Sequence, residues 1–190
     1  MKYIPILICF LVAIPFKLTA QKQQVIEPAN LECQYNLTVI KDTLDQKQKA
    51  DDIMILRIGK NYSQFYSYYT FYNDSMRTDP AGSKIAGRMT IMAIRKKDFS
   101  LMPMPRTTVD FIYKSYPKPG DITIFTRLEN KNGMNYFEIQ EKDNGQAWSI
   151  QDSTRQIAGY HCQLASCTFR GREWKAWFTT EIPISNGPWK

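Results

Sequence analysis

From Leu31 to Val39 the chain alternates without a break. Leu31, Cys33, Tyr35, Leu37 and Val39 are apolar, and Glu32, Gln34, Asn36 and Thr38 between them are polar. A period of two marks a strand that turns one face to a core. Comparable segments follow along the whole chain. Asp52–Gly59 is an apolar run bounded by charge and glycine, and Asn61–Asp74 is dense in Tyr and Phe, its first half suited to a strand. Thr108–Tyr116, Asp121–Leu128, Met134–Glu141, Gln146–Asp152, Tyr160–Phe169 and Glu173–Ile182 complete the series. Asn130–Gly133, Asp143–Gly145 and Gly171-Arg172 fall between strands as hairpin connections. Strands spaced about ten residues apart with short turns predict a mainly β, antiparallel fold. Asn73–Arg88, with Asp79-Pro80 and two glycines, leaves room for a short helix, so one or two are expected at most. The alternating prolines of Met102–Thr107 resist regular structure.

The N-terminus carries an address. Lys2 precedes an apolar run from Tyr3 to Phe16, too short to span a bilayer, and Leu18-Thr19-Ala20 offers a small-residue cleavage site. Residues 1–20 therefore read as a signal peptide and 21–190 as one domain, exported to the periplasm, the outer membrane surface or the medium. Cys9 lies inside the apolar run, too early for a lipoprotein cleavage motif. No later segment is apolar enough for a transmembrane helix. The formal charge of +7 falls to +5 when Lys2 and Lys17 leave with the leader. That excess is dispersed apart from Arg95–Lys97, so nucleic acid is not an expected partner, whereas loose attraction to an anionic surface stays open.

Few residues offer chemistry. Cys33, Cys162 and Cys167 remain after export, and oxidising conditions favour a disulfide between two of them. Five residues of straight strand span about 16 Å, beyond the roughly 7 Å that a disulfide allows. Cys33 is therefore expected to pair with Cys162 or Cys167. His161 is the sole histidine. On a strand its side chain points away from that of the adjacent Cys162, which argues against a Cys–His nucleophile, and the ligand count falls short of a zinc site. Arg170 and Arg172 are candidates for an anion clamp, or for ion pairs with Glu173 or Glu181. Trp174 and Trp177 lie on opposite faces by parity. Tyr66 and Tyr69, within the aromatic run, are candidates to line a ligand cavity, or to pack in a core. No phosphate-binding glycine loop, G-x-S-x-G or H-E-x-x-H occurs, and no cofactor or metal is expected.

The closing segment resembles a known family. Ile157-Ala158-Gly159-Tyr160, Cys162, Ala165, Phe169-Arg170-Gly171-Arg172, Trp174, Ala176-Trp177, Glu181-Ile182-Pro183 and Gly187-Pro188 carry the likeness. Ser63–Ser67, Tyr113–Pro117 and Trp148–Ile150 follow the family order. The family is GLPGLI, a group of exported proteins of unknown function from one large phylum of Gram-negative bacteria. The namesake motif would follow a segment like Gly187–Lys190, so the resemblance implies further strands beyond Lys190. It also implies a curved antiparallel sheet like the half-barrels that handle apolar ligands in bacterial envelopes. Asp42-Thr43-Leu44, Asp74-Ser75-Met76 and Asp152-Ser153-Thr154 resemble the sites of O-glycan attachment in that phylum. Two functions stand: a non-enzymatic module for an apolar ligand or an envelope partner protein, and an enzyme or thiol-redox protein with an unrecognised site; as a third reading, an exposed edge of this chain is one that the strands expected beyond Lys190 cover.

Overall fold

Strand periodicity carries through to the architecture. The computed structural model describes residues 27–188 apart from 41, 43, 45–47, 103 and 132. The leader, with Cys9, lies outside the described residues, as do Thr43, Trp189 and Lys190. Among the described residues nine strands form two antiparallel sheets: β1 (Leu31–Ile40), β2 (Lys49–Ile58), β3 (Ser63–Ser67), β4 (Phe111–Lys114), β5 (Asp121–Asn130) and β6 (Gly133–Lys142) in one, and β7 (Ser149–Ile157), β8 (Tyr160–Phe169) and β9 (Arg172–Phe178) in the other. Helices α1 (Tyr68–Thr78) and α2 (Pro80–Lys96) interrupt the larger sheet between β3 and β4. The fold is mainly β, and the described strands close no barrel.

The larger sheet is built in chain order, so each strand pairs with its sequence neighbour. Its middle buries both faces. Met54, Leu56 and Phe65 pack on one face with Cys33, Tyr35, Leu37, Ile58 and Ile112 against them. Ile55, Tyr66 and Phe111 pack on the other, joined by Ile53, Tyr113, Phe125 and, from α1, Phe71. The unbroken apolar run of β2 follows from this, because a strand buried on both sides has no polar face to keep.

The helices have local causes. Ser67 ends β3 and caps α1, its hydroxyl accepting from Thr70 N at 3.3 Å. That cap and the packing of Phe71 on Tyr66 turn Tyr68–Tyr72 into helix despite their preference for strands. Asp79 caps α2, accepting from Gly82 N at 2.9 Å, and Pro80 supplies a preset φ at the first helical position. Gly82 has no substitute here: a Cβ would come within 2.5 Å of the Met76 carbonyl oxygen, where α1 and α2 meet. Two helices match the expected number, but α2 runs through Lys96, well past Arg88, and is not short. Met102–Thr107 forms no strand or helix over its described residues, in line with its prolines, and Thr108–Asp110, expected as the start of a strand, is irregular as well, so β4 begins only at Phe111.

Two sequence expectations change. Asp143–Gly145 is not a hairpin turn: β6 and β7 belong to different sheets, and the segment between them crosses from one to the other. Cys33, Cys162 and Cys167 are free thiols, not a disulfide with a spare. Cys33 packs into the core of the larger sheet from β1, while Cys162 and Cys167 are buried on β8 of the smaller one. True two-residue hairpins join the smaller sheet, Ala158-Gly159 and Arg170-Gly171, all four with positive φ as the type I′ turn requires.

Candidate partner-binding edge

An open sheet edge is a row of unpaired N–H and C=O groups, and proteins protect such rows. On β1 the outward alternation is polar, through Glu32, Gln34, Asn36 and Thr38. On β7 the pairing with β8 slips between Ile150 and Thr154, a bulge that bends the strand. On β9 the strand is short, and Arg172, Glu173 and Lys175 are exposed.

β6 differs. It pairs with β5 over its whole length, Asp121↔Lys142 to Asn130↔Gly133, and among the described residues no strand pairs with its outer side. The tight turn behind it places Gly133 at a φ of 115, a conformation that glycine adopts without strain. Large apolar side chains stand exposed on both of its faces. Phe137 and Ile139 lie opposite Thr126 and Ile124, on the face that also carries Ile112. Met134 and Tyr136 lie on the reverse face, and Tyr136 is 74% exposed. Leu128 of β5, opposite Asn135, is 63% exposed and widens the apolar area beside Phe137. Glu138, Glu141 and Lys142 give the strand its charge. Glu138 accepts from Gln140 Nε2, Glu141 pairs with Arg170 at 2.9 Å, and Lys142 pairs with Asp121.

The sequence-predicted residues scatter away from this edge. Tyr66 is 1% exposed, stacked on Phe111 and tilted against Phe71. Burial pushes its hydroxyl up to about 12, against the opposing pull of the Arg57 cation. Tyr69 lies on α1 with the Arg106 guanidinium 3.7 Å from its ring centre. Both are therefore committed to packing, and the face that bears Tyr66 is covered by α1. Arg170 pairs with Glu141, not with the neighbouring Glu173 or Glu181, and so ties the β8–β9 turn to the end of β6. Arg172 is exposed at the start of β9. Trp174 is half-buried and donates its indole N–H to the Phe169 carbonyl at 3.1 Å, while Trp177, on the opposite face, lies under Arg155 at 4.1 Å. Tyr66 and Tyr69 thus stay with the larger sheet and Arg170, Arg172, Trp174 and Trp177 with the smaller one, so no single cavity gathers them. His161 is exposed, and its backbone N–H donates to Glu181. Ser75 lies in α1 and Ser153 in β7, so neither sits in a loop.

A shallow depression of about 340 Å³ opens between the loop before β4 and β5, with Arg106, Thr107, Asp110, Thr126 and Arg127 on its walls. Its polar groups are largely engaged: Thr126 donates to Asp110 at 2.5 Å and Arg127 pairs with Asp74 at 2.5 Å. Among the described residues no three His, Cys, Asp or Glu side chains converge as a metal would require, and no helix is long and apolar enough to cross a membrane.

No family model matches the chain, and no curated protein matches it. Among solved structures it is similar to PNGF-II in the C2 and P21 crystal forms, at 12% identity and TM-scores of 0.43 and 0.44. Each alignment covers 83% of this chain and 22% of PNGF-II, so the chain spans about a fifth of the length of that protein.

Proposed function

We propose that this is an exported, non-enzymatic binding module of the GLPGLI type, which holds an envelope partner protein by adding an extended segment of that partner to β6. The carrying observation is the ten-residue β6 edge with Met134, Tyr136, Phe137 and Ile139 exposed on its two faces. Strand addition draws affinity from main-chain hydrogen bonds and specificity from alternate side chains, and β6 offers both. An apolar small ligand is the weaker occupant, because the aromatic face around Tyr66 is filled by Phe71 of the protein's own helix. The thiol-redox alternative gains no support from Cys162 and Cys167, which are buried where a reactive thiol would be accessible. The signal-like residues 1–20 support export, and the family resemblance supports the cell envelope as the destination.

The test is a photo-reactive phenylalanine analogue placed at Tyr136 in the producing cell, with a second chain labelled at Gln34 on β1. A discrete protein adduct from position 136 and none from position 34 is the expected result. Adducts of equal yield from both positions, or from position 34 alone, overturn the assignment of the edge.

A further inference from the structure

We propose that the outward face of α2 docks this protein on an anionic lipid surface. From Pro80 to Lys97 the chain holds Lys84, Arg88, Arg95, Lys96 and Lys97 and no Asp or Glu. In sequence only the last three are adjacent. At 3.6 residues per turn, Lys84, Arg88 and Arg95 fall within about 40° of one another, on the side opposite the buried Gly82 and Ala93. The helix thus assembles one cationic stripe from charges that are dispersed along the chain. Among the described residues none of these five cations forms an ion pair.

The stripe has apolar margins. Ile91 and Ile94 flank it on one side and Ile85 and Met92 on the other, and the three isoleucines are each more than half exposed. Phe99, just past the helix, is 67% exposed. A phosphate backbone or an acidic protein surface would explain the cations but leave the isoleucines in water. A bilayer interface accepts both: apolar side chains enter the boundary between headgroups and acyl chains, and long basic side chains reach the phosphates. The 17-residue helix, about 25 Å long, lies along such a surface without crossing it. This surface is separate from β6, and its test does not depend on a protein partner.

The experiment is flotation of the full chain, as recovered in soluble form from its producing host, with phosphatidylcholine vesicles that do or do not contain about 30% phosphatidylglycerol. The protein floats with the anionic vesicles and not with the neutral ones, and raising the salt from about 0.05 M to about 0.5 M releases it. Lys84→Gln with Arg88→Gln lowers partitioning about 25-fold, at about fivefold per cation. Ile91→Ser with Ile94→Ser lowers it about tenfold or more. The two variants change exposed residues, and circular dichroism of each against the parent verifies the fold, so either one carries the test alone. Absence of binding to anionic vesicles, equal binding to both kinds, or unchanged binding by either folded variant overturns the proposal. Retention on a DNA duplex or polyglutamate that the isoleucine variant keeps and the cation variant loses, without vesicle binding, also overturns it and reassigns the face to a polyanion.

Discussion

Thr107 donates both its backbone N–H, at 3.1 Å, and its hydroxyl, at 2.5 Å, to the same carboxylate oxygen of Asp52. The other oxygen accepts from the Ser67 hydroxyl at 2.9 Å and from Ile53 N at 2.8 Å. Asp52 is 4% exposed, so these four donors replace its water. The carboxylate pins the proline-rich loop before β4 to the point where β3 turns into α1. Asp52→Ala leaves buried donors without an acceptor and is expected to cost about 3 kcal/mol. Thr107→Val removes one hydroxyl and costs about 1 kcal/mol. Urea denaturation of both variants measures the difference; equal midpoints for Asp52→Ala and the parent would show that the node is not structural.

Tyr66 sets an alkaline limit. Its folded pKa, raised by burial to about 12, lies above the unfolded value near 10. The neutral phenol is the form that the core accepts, so this contribution is fully present below pH 10 and is lost as pH rises towards 12. Burial raises Tyr35 and Tyr113 in the same direction. Stability is therefore expected to fall across this window, and Tyr66→Phe to shallow the fall. Thermal melts of parent and variant from pH 9 to pH 12 provide the comparison, and identical slopes would contradict it.

Glu27 runs the other way. Its carboxylate is held below the usual range, first by the Tyr62 backbone N–H at 2.8 Å and then by Asn61, which clamps the β2–β3 turn. Gly59 makes room for it, since a Cβ there would fall 2.1 Å from Glu27 Oε1. A lowered pKa means that the contribution is present above the ordinary carboxylate value and is lost as pH falls through the folded one. Glu27→Gln is expected to abolish that acid-side dependence, and Gly59→Val to displace the carboxylate and mimic it. Melts between pH 3 and pH 6 that still share one acid-side slope in parent and Glu27→Gln would refute the clamp.

The three thiols report on the two sheets separately. Mass mapping of alkylated native protein is expected to find Cys33 modified ahead of Cys162 and Cys167, both of which are buried. All three should react after unfolding without reductant. A peptide linking Cys33 to either β8 cysteine would mean that the sheets are joined covalently.

Strand content was legible because period two is written directly into Leu31–Val39; Tyr160–Phe169, whose alternation changes phase between Leu164 and Ala165, is marked instead by the glycine turns on either side, and the limits of both strands agree with the sequence reading to within a residue. α1 was not legible: Tyr68–Tyr72 favours strands in isolation, and only the Ser67 cap and the contact of Phe71 with Tyr66 decide otherwise. The cap signal was present at Asp79-Pro80, but nothing local marks where α2 stops until Lys97 takes a φ of 53. The break between sheets was hidden because Asp143-Asn144-Gly145 has the composition of a hairpin turn. The β6 edge was hidden for a related reason. Met134–Ile139 shows apolar residues on both faces, the pattern of a strand buried between two layers, and sequence does not say which strand will lack a neighbour. The aromatic run drew notice as a ligand lining, yet Tyr66 and Phe71 spend that surface on each other.

Charges on β6 should separate binding from stability. Met134→Lys with Ile139→Lys, made with the photo-reactive analogue kept at position 136, alters exposed side chains, so unfolding is expected to shift by less than about 1 kcal/mol, while edge pairing weakens, as it does where basic side chains guard natural edges. Loss of the photo-adduct together with an unchanged melting temperature is the expected pair of results. Retention of the adduct at parental yield would remove β6 from the interface.

The most direct measurement is hydrogen exchange of the isolated protein, resolved along β6 against β2 and β3. Alternate amides from Met134 to Glu141, those that point away from β5, are expected to exchange at nearly unprotected rates while the amides of Met54–Leu56 and Phe65–Tyr66 stay protected. Uniform protection along β6, at the level of β2, would show that the edge is already covered and would contradict strand addition as the mode of binding.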